Sequence, residues 1–411
     1  MKKMNREPLF VFRIFATILL LIQTATAQTR PTSFANLSEG EMIEGFRVSA
    51  VYLNDADLPM GARFTHNSTG FTLDLLQIES VPQAFIYVNT FPVSDKGEPH
   101  TQEHLLITKG NKGRELNTTE GMSLAQSNAF TSQLHTVYDF NTGAGAGVFY
   151  SLFEKYLDAL LHPDYTDEEV RREVRNWGVV ESPDKILRLE EKGSVYNEMY
   201  SSMNNPFSLA FDTVGRLLYG NAHPISYNAG GLPAGIRILN EKDIAKYHQE
   251  NYWLGNMGAI ISLPKSMEPG EVLSRMNRIL FAARKGTVSG EQKIKKLPNP
   301  EPAESGKIAI IDIPAKNAQQ TGMMMFAYSP VRVLDAREYI ELSNFLSVFA
   351  GDATTNLYKL FVDSKTRQGG MEAQTIYSWV DDKQLHPVFF LLNGIKYENL
   401  TLEKAKLTRQ R

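Results

Sequence analysis

Cysteine is absent from the 411 residues. Its absence excludes disulfides, thiolate metal ligands, a cysteine nucleophile and a lipidated N-terminal cysteine. A charge excess of either sign is also lacking. The 43 Lys and Arg nearly balance the 46 Asp and Glu, and the formal net charge is -3. There is no overall electrostatic case for a nucleic-acid partner. Long apolar runs are missing beyond the N-terminus, so no later segment reads as a membrane span. What is present is a 42% apolar composition, enough to bury real cores, in a length that favours two or three domains. Eight histidines are an ordinary number, and only their spacing can inform.

The N-terminus reads as a targeting segment rather than as fold. Lys2, Lys3, Arg6 and Arg13 form a basic stretch, and an apolar run follows over residues 14–22. Ala25-Thr26-Ala27 then supplies a small-x-small cleavage pattern. Together they predict a secretory signal peptide over residues 1–27, with the mature chain starting near Gln28. The expectation is a protein that is exported, periplasmic or secreted, with no membrane attachment after cleavage.

Strand-like alternation covers residues 46–53, 71–78 and 83–91, rich in Val, Ile, Phe and Tyr. A turn at Ser94-Asp95-Lys96-Gly97 precedes Pro99, which suits the first turn of a helix because its missing N–H costs nothing there. Gly110 can end that helix, so a helix is predicted over 99–109. A strand is expected over 134–140, and helices over 148–161, 166–176 and 190–203. A strand at 257–263 and a helix at 271–283 close this unit. Residues 286–306 hold Pro298, Pro300 and Pro302 and read as a linker. Beyond it the pattern restarts, with strands at 307–313, 323–328 and 387–392 and a helix at 337–349. The fold class is α+β, built as two tandem related α/β units. The first spans residues 28–285 and the second residues 307–411.

Residues 100–104 read His-Thr-Gln-Glu-His. On a helix, positions four apart share one face, so His100 and His104 can aim imidazole nitrogens at one ion. Glu103 can hang over the same ion without ligating it and take a proton from a metal-bound water. This is the H-x-x-E-H arrangement of an inverted zincin, and the ion it suits is Zn2+. A catalytic zinc needs three protein ligands and one open position. Glu198, on a predicted helix, is the candidate third ligand. Glu191 lies two turns earlier on the same predicted face, either as a hydrogen-bond partner behind the metal ligands or as a solvated helix residue.

Four longer stretches carry a family likeness. They are Thr90-Phe91-Pro92 continuing through Gly97-Glu98-Pro99-His100-Thr101-Gln102-Glu103-His104, then Asn128-Ala129-Phe130-Thr131, then Tyr196-Asn197-Glu198-Met199, and last His223-Pro224 with Gly230-Gly231-Leu232-Pro233 and Ile236. In these the chain resembles the M16 metallopeptidases, the pitrilysin and insulin-degrading enzyme family, and within it the presequence protease branch. The resemblance implies mixed β-sheets with helices packed on one face. It also implies that His100, His104 and Glu198 hold zinc, that Glu103 is the catalytic base, and that Asn128 and Ala129 lie on the strand edge that binds substrate peptides. Glu198 follows His104 by 94 residues, a spacing that suits the presequence protease branch. The expected activity is that of a zinc metalloendopeptidase acting on unstructured peptides. Members of that branch are about twice this length, so a second M16-type half, or a homo- or hetero-oligomeric partner, is an implied partner. The second unit (307–411) reads as non-catalytic and short of a full M16 unit. The alternative is a non-catalytic M16-like subunit that binds peptides or a partner chain.

The other histidines, His66, His135, His162, His248 and His386, have no partner at ligand spacing and read as structural or exposed. Met323-Met324-Met325 reads as strand packing.

Overall fold

The computed structural model describes residues 33–284, 294–313, 320–329, 333–368 and 370–410. The predicted signal peptide and the start of the predicted linker lie outside them. The first unit contains β1 (Met42–Ile43), β2 (Phe46–Leu53), β3 (Pro59–His66), β4 (Thr72–Gln77), β5 (Gln83–Asn89), α1 (Glu98–Thr108), α2 (Gly110–Met122), β6 (Ala125–Thr131), β7 (His135–Thr142), α3 (Ala146–Leu161) and α4 (Asp167–Val174). It continues with β8 (Asn176–Glu181), β9 (Leu187–Lys192), α5 (Ser194–Ser202), α6 (Pro206–Tyr219), α7 (Pro233–Ile236), α8 (Glu241–Asn251), β10 (Met257–Leu263) and α9 (Pro269–Ala283). Beyond residue 320 come β11 (Gly322–Tyr328), α10 (Ala336–Phe349), α11 (Asn356–Phe361), β12 (Thr375–Val380), β13 (Val388–Ile395) and α12 (Leu402–Gln410).

Eight strands form one mixed sheet in the order β1-β2-β3-β4-β10-β5-β7-β6. Only β10 and β4 run parallel; β10 meets β5 antiparallel, as do all the other neighbours. Strand alternation decides which side chains enter the core. On β5, Ala84, Ile86 and Val88 are buried, and on β10 Ala259, Ile261 and Leu263. Helices α1, α2, α3 and α9 cover that face with Leu106, Leu116, Phe149, Leu152, Phe153, Tyr156 and Met276. Helix α3 is the clearest case of periodicity dictating packing, since Phe149, Leu152, Phe153, Tyr156, Leu157 and Leu160 recur on one side and all are buried.

A second sheet has three strands in the order β11-β13-β12. It meets the first unit through Phe389, which clusters with Leu218, Tyr219 and Ile225.

Several expectations change. β3, β12, α2, α6 and α8 were not anticipated. Residues 307–313 are irregular rather than a strand, and Ile310 is exposed. Their Ile-rich alternation supplies β propensity, but a strand also needs a neighbour for its backbone groups, and none is present among the described residues. The predicted helix over 190–203 starts only at Ser194. Glu190, Glu191 and Lys192 instead pair with β8 in a separate two-stranded ribbon. Trp177, Val179, Leu187 and Leu189 share one face of that ribbon and are exposed.

Leu152 is fully buried at the centre of the layer between α3 and the sheet. Leu152→Ala should cost about 2–5 kcal/mol. Urea titration would report this as a lower midpoint at unchanged slope. An unmoved midpoint would mean that this layer does not hold the unit together.

Candidate metal and catalytic site

Helix α1 starts where the chain leaves β5 through a tight turn. Gly97 is left-handed, with φ of 76°, and Pro99 sits in the first turn. Ser94 donates to Glu98 Oε1 at 2.6 Å, tying the turn to the helix. A Cβ on Gly97 would collide with the Gly230 carbonyl, and one on Gly231, itself at φ 89°, would collide with Gly97. The start of α1 is thus wedged against the Gly230-Gly231 loop, at two positions that only glycine fits.

The helix is polar in sequence yet buried from Glu98 through Glu103, and again at Leu105 and Leu106. Buried polar groups need partners, and the partners come from several elements. Gln102 Nε2 donates to the Tyr165 hydroxyl at 3.1 Å. Glu103 Oε2 accepts from Thr131 Oγ1 at 2.6 Å, and Thr131 lies on the edge strand β6. Thr131 is in turn 3.4 Å from Thr136 Oγ1, which is 3.1 Å from Thr90 Oγ1. His104 Nδ1 lies 3.3 Å from Glu173 Oε2, and Lys109 Nζ lies 2.7 Å from Glu173 Oε1.

Helix α5 brings Glu198 to the two imidazoles. Its Oε1 is 3.5 Å from His100 Nε2, and its Oε2 is 3.6 Å from His104 Nε2. One ligating atom from each of the three residues can be chosen so that all lie within 4.8 Å of one another. Zinc with bonds of about 2.0–2.2 Å in a tetrahedron separates its ligands by roughly 3.3–3.6 Å. Each imidazole-to-carboxylate distance is of that length, though each is to a different oxygen of Glu198, and the His₂Glu donor set is one that zinc takes. These residues fit the metal.

The charge environment is graded. Burial and the neighbouring His104 push His100 below the usual imidazole range, against an upward pull from Glu198. Burial also works against protonation of His104, but the Glu173 hydrogen bond and the charges of Glu103, Glu173 and Glu198 outweigh it and raise its pKa. Glu103 is raised by burial, with the Thr131 hydrogen bond and His104 pulling it back. Burial would raise Glu173 as well, yet the bonds from His104 and Lys109 bring its carboxyl down to about 2.

Asn128 and Ala129 lie on β6, which pairs with β7 through Asn128↔Asp139 and Ala129↔Tyr138 and has no strand on its other side among the described residues. Glu191 is not at the site. It accepts from Arg237 Nε at 2.8 Å and Arg237 Nη2 at 2.7 Å, and the same guanidinium donates to the Tyr196 hydroxyl at 2.6 Å. The expectation that Glu191 backs the metal ligands is corrected because the residue belongs to a strand, so it cannot share a helical face with Glu198. The carboxylate that does hold one of the two candidate histidines, His104, is Glu173. Sequence reasoning passed over it, although it carried a signal: Val170, Glu173 and Val174 form the buried stripe of α4, and an acid in an apolar stripe needs a partner.

No protein-family model matches the chain. Among curated proteins, it is 28% identical over 305 residues to a mitochondrial presequence protease of Emericella nidulans, a match that takes in 70% of this chain and 28% of that protein. The chain therefore aligns with less than a third of that relative's length. Among solved structures it superposes on a protease from Helicobacter pylori with a TM-score of 0.62 at 18% identity, covering 87% of this chain and 80% of that one. It also superposes on a peptidase M16 inactive domain from Pseudomonas fluorescens, with a TM-score of 0.60 at 14% identity over 81% of this chain and 74% of that one. In sequence the chain is similar to presequence proteases, and in fold to M16 peptidase domains. Its mixed sheet with helices on one face is the M16 fold.

The wedge at Gly97 generates a prediction. Gly97→Ala should lower stability by about 1–3 kcal/mol, from left-handed strain alone, and more if the loop cannot yield. A thermal melt showing no loss would mean that the Gly230 loop moves freely and does not fix the start of α1.

Proposed function

We propose that the chain is a zinc-dependent endopeptidase acting on unstructured peptides. One observation carries the reading: His100, His104 and Glu198 converge at zinc-ligand spacing, with the Glu103 carboxylate on the same helix turn. His100 Nε2, His104 Nε2 and a Glu198 oxygen would hold the ion. Bound there, zinc supplies Lewis acidity, acidifying a water molecule and polarising a carbonyl oxygen.

The remaining steps belong to the protein's own groups. Glu103 is the proton carrier. Its carboxylate accepts a proton from the attacking water and returns it to the leaving amine. Burial favours that return, since it raises the affinity of Glu103 for the proton, while Thr131 holds the carboxylate in position. The free side of β6 offers backbone N–H and C=O groups at Asn128 and Ala129 to an extended peptide. Such a substrate must be unstructured, because a packed domain cannot present a strand to that edge. The reading as a non-catalytic binding subunit has less support, because such subunits lose part of the metal motif and all four residues are kept here.

Two proposals accompany this one. The basic, apolar and small-residue pattern of residues 1–27 supports export to the periplasm or beyond. The short coverage of the longer relative supports a second M16-type half, or an oligomeric partner, as part of the working enzyme.

Glu103→Gln should keep zinc, measured by metal analysis, while peptide cleavage falls by about 100- to 10,000-fold. A chelator should abolish wild-type cleavage, and added zinc should restore it. Wild-type cleavage by the Gln variant would remove Glu103 as the base. A purified chain that takes up no zinc would overturn the peptidase reading in favour of a binding subunit.

A further inference from the structure

Two histidines face Glu198, but only one of them is held from behind by a carboxylate. His104 Nδ1 is 3.3 Å from Glu173 Oε2, and Glu173 is 3% exposed. The other oxygen of that carboxylate is 2.7 Å from Lys109 Nζ. Lys109 directly follows α1, whereas Glu173 is on the buried face of α4. A lysine-paired carboxylate accepts hydrogen bonds and has none to give. The proton between the two groups must therefore sit on the imidazole, at Nδ1. In neutral His104 this leaves the lone pair on Nε2, the nitrogen that faces Glu198 at 3.6 Å.

We propose that Glu173 is a positioning residue that locks His104 in the Nδ1–H tautomer and aims its Nε2 lone pair at the metal site, with Lys109 clamping the carboxylate in place. The tautomer it imposes is the one that free histidine disfavours in water. The lock thus removes a rearrangement that would otherwise accompany every binding event at the site. Outer carboxylates of this kind also raise the basicity of a ligating imidazole. Among the described residues no comparable clamp stands behind His100, whose buried Nδ1 has no hydrogen-bond partner. The two histidines are therefore unequal, and His104 is the preorganised one. The tautomer assignment stands on the hydrogen bond itself; its consequence for metal affinity rests on the zinc reading above.

The test uses the full chain and two readouts that do not depend on peptidase activity. The first is the tautomer of His104 by nitrogen-15 NMR of the metal-free protein, at a pH that leaves the ring neutral. The wild type should show a protonated Nδ1 and a bare Nε2. Glu173→Gln is isosteric but presents an amide that can either donate or accept, so it should mix the two tautomers. The second readout is zinc affinity by chelator competition, where Glu173→Gln should weaken binding by about 10- to 100-fold. Lys109→Met keeps the His104 contact and should retain the Nδ1–H form, with a smaller loss of affinity. A wild-type spectrum with the proton on Nε2 overturns the proposal whether or not any variant folds. Unchanged zinc affinity in a folded Glu173→Gln protein also overturns it. A wild type that binds no zinc but shows the Nδ1–H form would remove the zinc reading and leave the lock standing.

Discussion

Helix α1 is polar and buried at once, and that constraint organises the whole site. An isolated polar helix on the surface would place no demand on its surroundings. A buried one draws partners to its side chains, because an unpaired polar group removed from water costs about 1–3 kcal/mol, and on α1 only Glu98 Oε2, His100 Nδ1 and Thr101 Oγ1 stay without one among the described residues. The partners are drawn from distant parts of the chain: Thr131 on β6, Tyr165 before α4, Glu173 on α4 and Glu198 on α5. Satisfying α1 therefore assembles the site. The same demand explains why Glu103 and His104 are tied to Thr131 and Glu173, the preorganisation that the proposed chemistry would use.

Much of this was legible in the sequence. The His-Thr-Gln-Glu-His spacing implied one helical face, and Pro99 implied where that helix starts; the structure has α1 beginning at Glu98. The periodicity of residues 148–161 gave the buried side of α3, because apolar spacing alone decides that packing. Glu198 came from the likeness of Tyr196-Asn197-Glu198-Met199 to M16 sequences, since no local rule says which distant acid reaches a metal. The failures share a cause as well. Residues 187–192, Leu-Arg-Leu-Glu-Glu-Lys, alternate as a strand should, but the last three were absorbed into the helix that follows. Gly193, at φ of 146°, marks the real boundary, and a single glycine is a weak signal for so sharp a change. Residues 307–313 failed in the opposite direction, having strand propensity without a neighbour to pair with.

The edge strand links the two halves of the proposed chemistry. Asn128 and Ala129 would meet a peptide through the backbone, and three positions past Asn128 the Thr131 hydroxyl holds Glu103. A peptide lying along β6 is thereby in register with the residue that would carry its proton. The hydroxyls of Thr136 and Thr90 stand behind Thr131, both buried. They give Thr131 a fixed environment, so the Glu103 rotamer does not depend on solvent. Nothing in residues 125–131 read alone signals this link, because it arises only when β6 folds beside α1.

Glu191 illustrates how a residue near a candidate ligand in sequence can bear on it without approaching it. The ribbon of β8 and β9 is the chain segment that joins α4, which carries Glu173, to α5, which carries Glu198, and the two helices also pack together through Val170, Val174, Val195 and Met199. An isolated two-stranded ribbon is marginally stable in water, so it cannot by itself fix the distance between those helices. Glu191 binds the Arg237 guanidinium with both oxygens, and that guanidinium also reaches Tyr196 on α5 and stacks over its ring at 5.1 Å. The foot of the ribbon is thereby fastened to the first turns of α5. Two hydrogen bonds in the fork geometry of an arginine–carboxylate pair resist rotation as a single contact would not. This fastening adds to the buried packing of Val195 and Met199 that sets α5, with Glu198, beside α4. The acid seven residues ahead of Glu198 thus acts on the placement of its helix, a mechanical contribution that a ligand-spacing argument has no means of seeing.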